Sequence, residues 1–159
     1  MRIITRISIQ APIERVFDLA RSMDFHTYSV RNTGESIIGG RATGLIGIDE
    51  SVVFKGRHFG LVQVFEAKIT KMEFPSEFID EMVSGSFTRF SHTHTFVRDH
   101  GMTIMIDELA YQCPCGFVGD LFDRLFLRSY LTQLINSRAA EIKKSTESSH
   151  WQEYLRVKA

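Results

Sequence analysis

The sequence predicts an α+β domain in which a curved antiparallel sheet of about six to seven strands wraps around one long C-terminal α-helix. Three observations carry that expectation. Apolar and polar side chains alternate with period two in runs bounded by glycine- and proline-bearing turns, the pattern of half-buried strands. From Phe117 onward the period changes to that of a helix, and residues 117–146 contain no proline and, after Gly119, no glycine. Between the first strand and the rest lie two short helical stretches.

Residues 2–10 alternate Ile3, Thr5, Ile7 and Ile9 with Arg2, Arg6, Ser8 and Gln10, which reads as a strand. Pro12 stands where a first helical turn tolerates it, and Glu14 suits the positive end of the helix dipole. Val16, Phe17, Leu19 and Ala20 then give a short helix its apolar stripe, and a second short helix covers residues 22–28. Strands are expected at 35–38, 50–58, 61–72, 77–84, 87–97 and 102–112. Phe59-Gly60, Pro75-Ser76, Gly85-Ser86 and the stretch from Arg98 to Gly101 mark the turns. Cys113-Pro114-Cys115-Gly116 breaks the last strand. In the helix that follows, Leu121, Leu125, Thr132, Ile135, Ala139 and Ile142 form one row, and Phe122, Phe126, Tyr130 and Leu134 a second. About thirty helical residues span ~45 Å, enough to cross a large sheet. Residues 1–147 form one domain on this reading, and 148–159 a polar C-terminal tail.

Bulk properties narrow the function classes. Lys+Arg and Asp+Glu are both 19, so the formal net charge is zero. A nucleic-acid partner usually meets a basic excess or stripe, and the densest basic cluster here is Lys143-Lys144. No partner nucleic acid and no stable membrane association are expected, and the oligomeric state is left open. The two cysteines flank a single proline, which is no disulfide framework. The first residues lack the apolar core and cleavage site of a signal peptide, so a cytoplasmic setting is the expectation. Thirteen phenylalanines against one tryptophan suit a dense core or an apolar pocket wall.

Period two places Phe90, His92, His94 and Phe96 on one strand face. Two turn registers are open: a turn centred on Asp99-His100 sets His92 opposite Asp107 and His94 opposite Met105, and one centred on His100-Gly101 sets His94 opposite Asp107. In both, a carboxylate shares a face with two imidazoles, an arrangement suited to acid/base work or to gripping a polar ligand group. It equally makes a satisfied structural pair inside a sheet. His92, His94 and Asp107 also number enough for a metal centre with an open position, but His-x-His alone is a weak signal, and no metal or cofactor is expected. Either Asp80 or Glu81 joins the polar cluster, depending on the hairpin loop. Arg57 is read as a rim charge and Tyr111 as a hydroxyl sharing parity with Asp107.

Gly85-Ser86-Phe87, then Phe90, His92, His94 and Phe96, then Asp107 and Pro114, resemble the helix-grip superfamily, in particular an uncharacterised bacterial branch of polyketide cyclase/dehydrase-like (SRPBCC) proteins. The superfamily also includes lipid-transfer START domains and the birch-pollen allergen group. The resemblance spans residues 1–147 and implies a cavity between sheet and C-terminal helix that holds a small, largely apolar molecule. Its wall is then expected to draw on Phe87, Phe90, His92, His94, Phe96, Met105, Asp107, Tyr111 and Leu125. The superfamily hosts carriers, receptors and enzymes alike. A cyclase/dehydrase-type enzyme with His92, His94 and Asp107 as catalytic groups is therefore one alternative. An interaction protein whose cavity is filled by phenylalanines is another.

Overall fold

A computed structural model describes residues 1–155, and the last four residues of the expected tail lie outside them. β1 (Arg2–Ile9) leads into α1 (Ile13–Ala20) and α2 (Met23–Ser29). Six more strands follow: β2 (Ser36–Gly40), β3 (Ser51–His58), β4 (Leu61–Glu73), β5 (Glu77–Ser84), β6 (Arg89–Asp99) and β7 (Met102–Gln112). The chain closes with α3 (Gly116–Phe122), a π-helical turn (Asp123–Leu127), α4 (Arg128–Thr146) and α5 (Gln152–Leu155).

The seven strands form one antiparallel sheet in the order β1-β7-β6-β5-β4-β3-β2. Every strand from β2 to β7 lies beside its sequence neighbour, and β1 closes the far side against β7. The two helices between β1 and β2 therefore cross from one edge of the sheet to the other. α1 starts after Pro12 and buries Ile13, Val16, Phe17, Leu19 and Ala20. Ser22 caps α2, its Oγ accepting the Phe25 N–H at 3.3 Å and so satisfying one of the free donors of a helix start.

Turn chemistry sets the register. Phe59-Gly60 and His100-Gly101 both carry positive φ at both residues, the two-residue hairpin geometry that matches strand twist. The second turn pairs Asp99 with Met102 and hence His94 with Asp107, selecting one of the two registers the sequence leaves open. The Gly85-Ser86 signal does not make a tight hairpin. Pairing of β5 with β6 stops at Glu81 opposite Ser91, while β5 runs on beside β4 to Ser84. Gly85 is packed against Phe65, where a Cβ would come within 2.8 Å of the ring. The chain thus follows β4 before it turns, and the loop back to β6 is wide.

The C-terminal helix follows one path over residues 116–146, interrupted by the π turn. Its buried apolar side chains are Leu127, Leu131, Ile135, Ala139 and Ile142. Two buried clusters result. One gathers Phe17, Phe25, Phe78, Phe96 and Met105 with the C-terminal half of α4. The other gathers Ile3, Leu109, Tyr111, Leu127, Leu131 and Ile135. Residues 148–155, part of the expected polar tail, pack against α1 and α2. Arg15 lies over the Trp151 ring at 4.3 Å, and Tyr154 meets Phe25 edge-on at 5.2 Å. Trp151, Tyr154 and Leu155 stand at helical spacing, so the apolar stripe that docks this segment is short but present in the sequence.

Candidate functional site

A cavity of about 560 Å³ opens between the sheet and the C-terminal helix, bordering both buried clusters. Phe54, Phe65, Phe78, Phe87, Phe90, Leu127, Leu131 and Leu134 are part of its apolar wall. A smaller recess of about 110 Å³ adjoins it and shares His26, Glu35, His92, His94 and Arg138 with the main cavity, with Asp107 at its side. The walls are thus largely apolar, with a dense polar cluster where cavity and recess meet.

Strand alternation builds that polar place. Phe78 and Asp80 on β5 face the same way as His92 and His94 on β6, Asp80 standing opposite His92 and Phe78 opposite His94. Glu81 has the other parity and is exposed, so Asp80 is the one that turns inward. Asp107 reaches the group from β7. His94 sits between two carboxylates: Nδ1 is 2.7 Å from Asp107 Oδ1 and Nε2 is hydrogen-bonded to Asp80 Oδ1 at 3.1 Å. The Phe78 ring stacks on His94 at 4.3 Å and fixes its plane. The His92 ring lies 3.9 Å from that of His94. His92 Nε2 stands 3.3 Å from Asp107 Oδ1 yet makes no hydrogen bond, and it is buried.

Proton affinities follow from these neighbours. Burial works against a charge on His94, but the Asp107 and Asp80 carboxylates outweigh it and raise His94 above the usual imidazole value. Burial and the adjacent His94 hold His92 below that value. Burial opposes the Asp107 charge too, and the two imidazoles overcome it, keeping its carboxyl well below the ordinary range. Asp80 is lowered for the same reasons. The two histidines are therefore split, one favouring the charged form and one the neutral form, the pairing from which acid/base sites are made.

A second polar pair lies on the same wall. His26 Nε2 is 2.7 Å from Glu35 Oε1, and its ring packs on Phe54 at 4.7 Å. Arg138 donates from Nη2 to the Ala20 carbonyl at 2.7 Å, while its buried Nε has no hydrogen-bond partner. Near the mouth, His58 Nδ1 and the Tyr130 hydroxyl lie 2.6 Å apart, and Phe59 meets Phe122 at 5.2 Å.

Of the residues expected on the wall, Phe87, Phe90, His92 and His94 line the cavity and Asp107 lines the recess. Four do not. Phe96 and Met105 are fully packed beneath α1, Phe96 against Phe17 at 5.2 Å. Tyr111 turns its hydroxyl to Asp123, to which it donates. Leu125 is 60% exposed on the π turn. In the alternative of a filled cavity, Phe87, Phe90 and Phe96 would be the plug; here the first two form wall and the third is core. Arg57 donates to the Gly60 carbonyl in its own turn, as a rim charge does. Cys113 and Cys115 are both free. His26, Glu35 and Arg138 were missed. Arg138 had a signal, since it is a charge that shares a helix face with Leu134, Ile135 and Ile142.

No family model matches the chain, and no curated protein matches it. Solved structures do. Protein TTHA0849 from Thermus thermophilus is similar at a TM-score of 0.69 and 16% identity, over 92% of this chain and 97% of that one. The ginseng major latex-like protein 151 from Panax ginseng is similar at 0.67 and 11% identity, over 93% and 98%. Aha1 from Colwellia psychrerythraea, solved as a dimer, is similar at 0.65 and 15% identity, over 92% and 96%. The fold is the helix-grip fold. Helix-grip architecture accounts for the cavity's place, since a sheet curved around one helix leaves room wherever the side chains between them do not meet. At these identities the likeness speaks for architecture alone. No helix among the described residues is long and apolar enough to cross a membrane.

Proposed function

We propose that this protein binds a small, largely apolar molecule with one polar end, held in the cavity between the sheet and the C-terminal helix. The observation that carries this reading is the cavity itself: about 560 Å³, with phenylalanine and leucine walls and a buried polar cluster around His92 and His94. That volume lies within the range of small-molecule sites, as does the mix of apolar lining and few convergent polar groups. The hydrocarbon part of the ligand would lie along Phe54, Phe65 and Phe90, and its polar end would meet His92, His94 and Arg138. The ligand class is lipid-like or polycyclic.

The first measurement is a native mass spectrum of freshly purified protein with a solvent extract of the same sample. A defined adduct that extracts as an apolar molecule is the expected result. If none is found, a panel of fatty acids and polycyclic aromatics should raise Tm and displace a fluorescent apolar probe. Leu134→Trp, which fills part of the cavity, should weaken that probe by about tenfold or more, the equivalent of ~1.4 kcal/mol. A protein with no adduct, no probe binding and no ligand-dependent rise in Tm would sink the reading.

The split pair His92 and His94 favours a second reading, an enzyme of the cyclase/dehydrase type. There His92 would take the proton and Asp107 would orient and charge His94. Conversion of the extracted molecule on incubation, slowed ~10²-fold by His92→Ala, would support it.

A further inference from the structure

We infer that Asp80, His92 and His94 form a divalent-metal site whose open positions face the cavity. One ligand atom from each lies within 4.8 Å of the others. With metal–ligand bonds of about 2.0–2.2 Å, two ligands on one tetrahedral ion stand roughly 3.3 Å apart. Asp80 Oδ1 and His94 Nε2 are 3.1 Å apart, so an ion can bridge them with little movement of either strand.

Three further features are those of a metal site. Asp107 lies on Nδ1 of His94, leaving Nε2 for the ion, and a carboxylate on the far nitrogen of a ligating imidazole orients it and raises its basicity. The buried Nε2 of His92 has no hydrogen-bond partner, which is the state expected of a nitrogen whose partner is an ion. The third is charge. The cavity and its recess are lined by the carboxylates of Glu35, Asp80 and Asp107 and by the guanidinium of Arg138, while Arg21 is neutralised by Asp18 at 2.7 Å. An ion bound at Nε2 of His94 displaces the proton there, and with both imidazoles then neutral the formal sum is two negative charges in a largely apolar space, matched by one divalent cation. Two imidazoles and one carboxylate suit zinc or a neighbouring first-row ion, with room left for an oxygen donor from the cavity side. The ligand class that completes such a centre is an apolar molecule ending in a carboxylate, phenolate or similar oxygen group.

The site is independent of the apolar-ligand reading, and its test needs no organic molecule. The chelator-treated protein is titrated with Zn2+ by calorimetry and with Co2+ by visible absorption. One ion per chain is expected, with the absorption bands of a low-coordinate cobalt centre. His92→Gln and Asp80→Asn should each weaken binding more than about 100-fold, whereas Asp107→Asn should weaken it about 10–100-fold, as loss of an outer-sphere carboxylate does. Circular dichroism and a thermal melt confirm that each variant is folded, and a variant that does not fold is replaced by His94→Gln. Absence of binding to the folded wild type overturns the inference. So does binding that survives in both His92→Gln and Asp80→Asn, since the ion would then sit at an exposed pair such as His100 with Asp99.

Discussion

Tyr111 shares a strand face with His94's partner Asp107, yet its hydroxyl turns away from the cavity and donates to Asp123 at the start of the π turn. Asp123 is 1% exposed, and its other neighbour is Arg128, whose Nε lies 3.7 Å from Oδ2. Burial and this carboxylate both push the Tyr111 hydroxyl up, so it stays a proton donor. Tyr111→Phe leaves a buried carboxylate short of a donor and should cost about 1–3 kcal/mol in urea unfolding. A midpoint unchanged from wild type would show that water replaces the bond. The same residue marks the limit of parity arguments: alternation gives the face a side chain leaves from, not the partner it finds. Asp80 was legible only as one of two adjacent acids, because the loop length that decides between them depends on how Gly85 packs against Phe65. The His94–Asp107 pairing was one of two registers in the sequence, and the choice rests on His100, a residue that accepts positive φ less readily than glycine.

At the scale of elements, α1 divides the inner face of the sheet into a packed end and a hollow end. Phe17 is its wedge, meeting Phe74, Phe78 and Phe96 at 5.2, 5.4 and 5.2 Å. Phe96 and Met105 lie under it, which is why two inward-facing residues never reach the cavity. Phe17→Ala should lower stability by about 3–5 kcal/mol, the cost of emptying a large core site. Binding of an apolar probe to the folded variant should stay at the wild-type affinity, because Phe17 is not on the cavity wall. A parallel loss of probe binding would mean that the two ends are one unit. The strands were legible to within a residue or two because their alternation is local. The helix phase was legible for Ile135, Ala139 and Ile142 and failed for Leu121 and Leu125, since a 3.6 period carried back through the π turn accumulates an error that only the structure reveals.

For the whole molecule, the His26–Glu35 pair ties α2 to the start of β2 deep in the fold and makes stability depend on pH. Burial holds His26 below its ordinary 6.5 despite the Glu35 carboxylate, with Arg138 acting in the same sense and Asp80 against it. Burial pushes Glu35 up, and its bond to His26 more than reverses this, leaving it below 4.5. The unfolded chain therefore takes up a proton at His26 first as pH falls below about 6.5, which favours unfolding. The stabilisation from Glu35, full above about pH 4.5, is lost below it. His92 acts in the same sense and His94 in the opposite one, so the share due to His26 is read by difference: between about pH 7 and about pH 5 Tm should fall more in the wild type than in His26→Gln. An identical slope in the variant would assign the pH dependence to other groups. The architecture was readable from the order of elements, because one strand, two short helices, a meander and one long helix leave few ways to cover the sheet. The polar wall was half-readable: His92, His94 and Asp107 lie on one hairpin whose alternation sets their face, whereas His26 and Glu35 lie on a short helix and in a loop, and Arg138 meets them only in the fold.

The π turn has a meaning for how this chain tolerates changes in length. In it the Arg128 N–H reaches back to the Asp123 carbonyl, five residues away where an α-helix reaches four, so one residue is present in excess of the helical repeat. Deleting a single residue between Asp123 and Leu127 would restore the repeat and swing α3 about 100° around the axis relative to α4. Phe122 would leave Phe59 at the mouth, and Asp123 would lose Tyr111. The helix would become more regular and the molecule less well joined, so this short stretch is one where an in-frame codon loss is costlier than most substitutions.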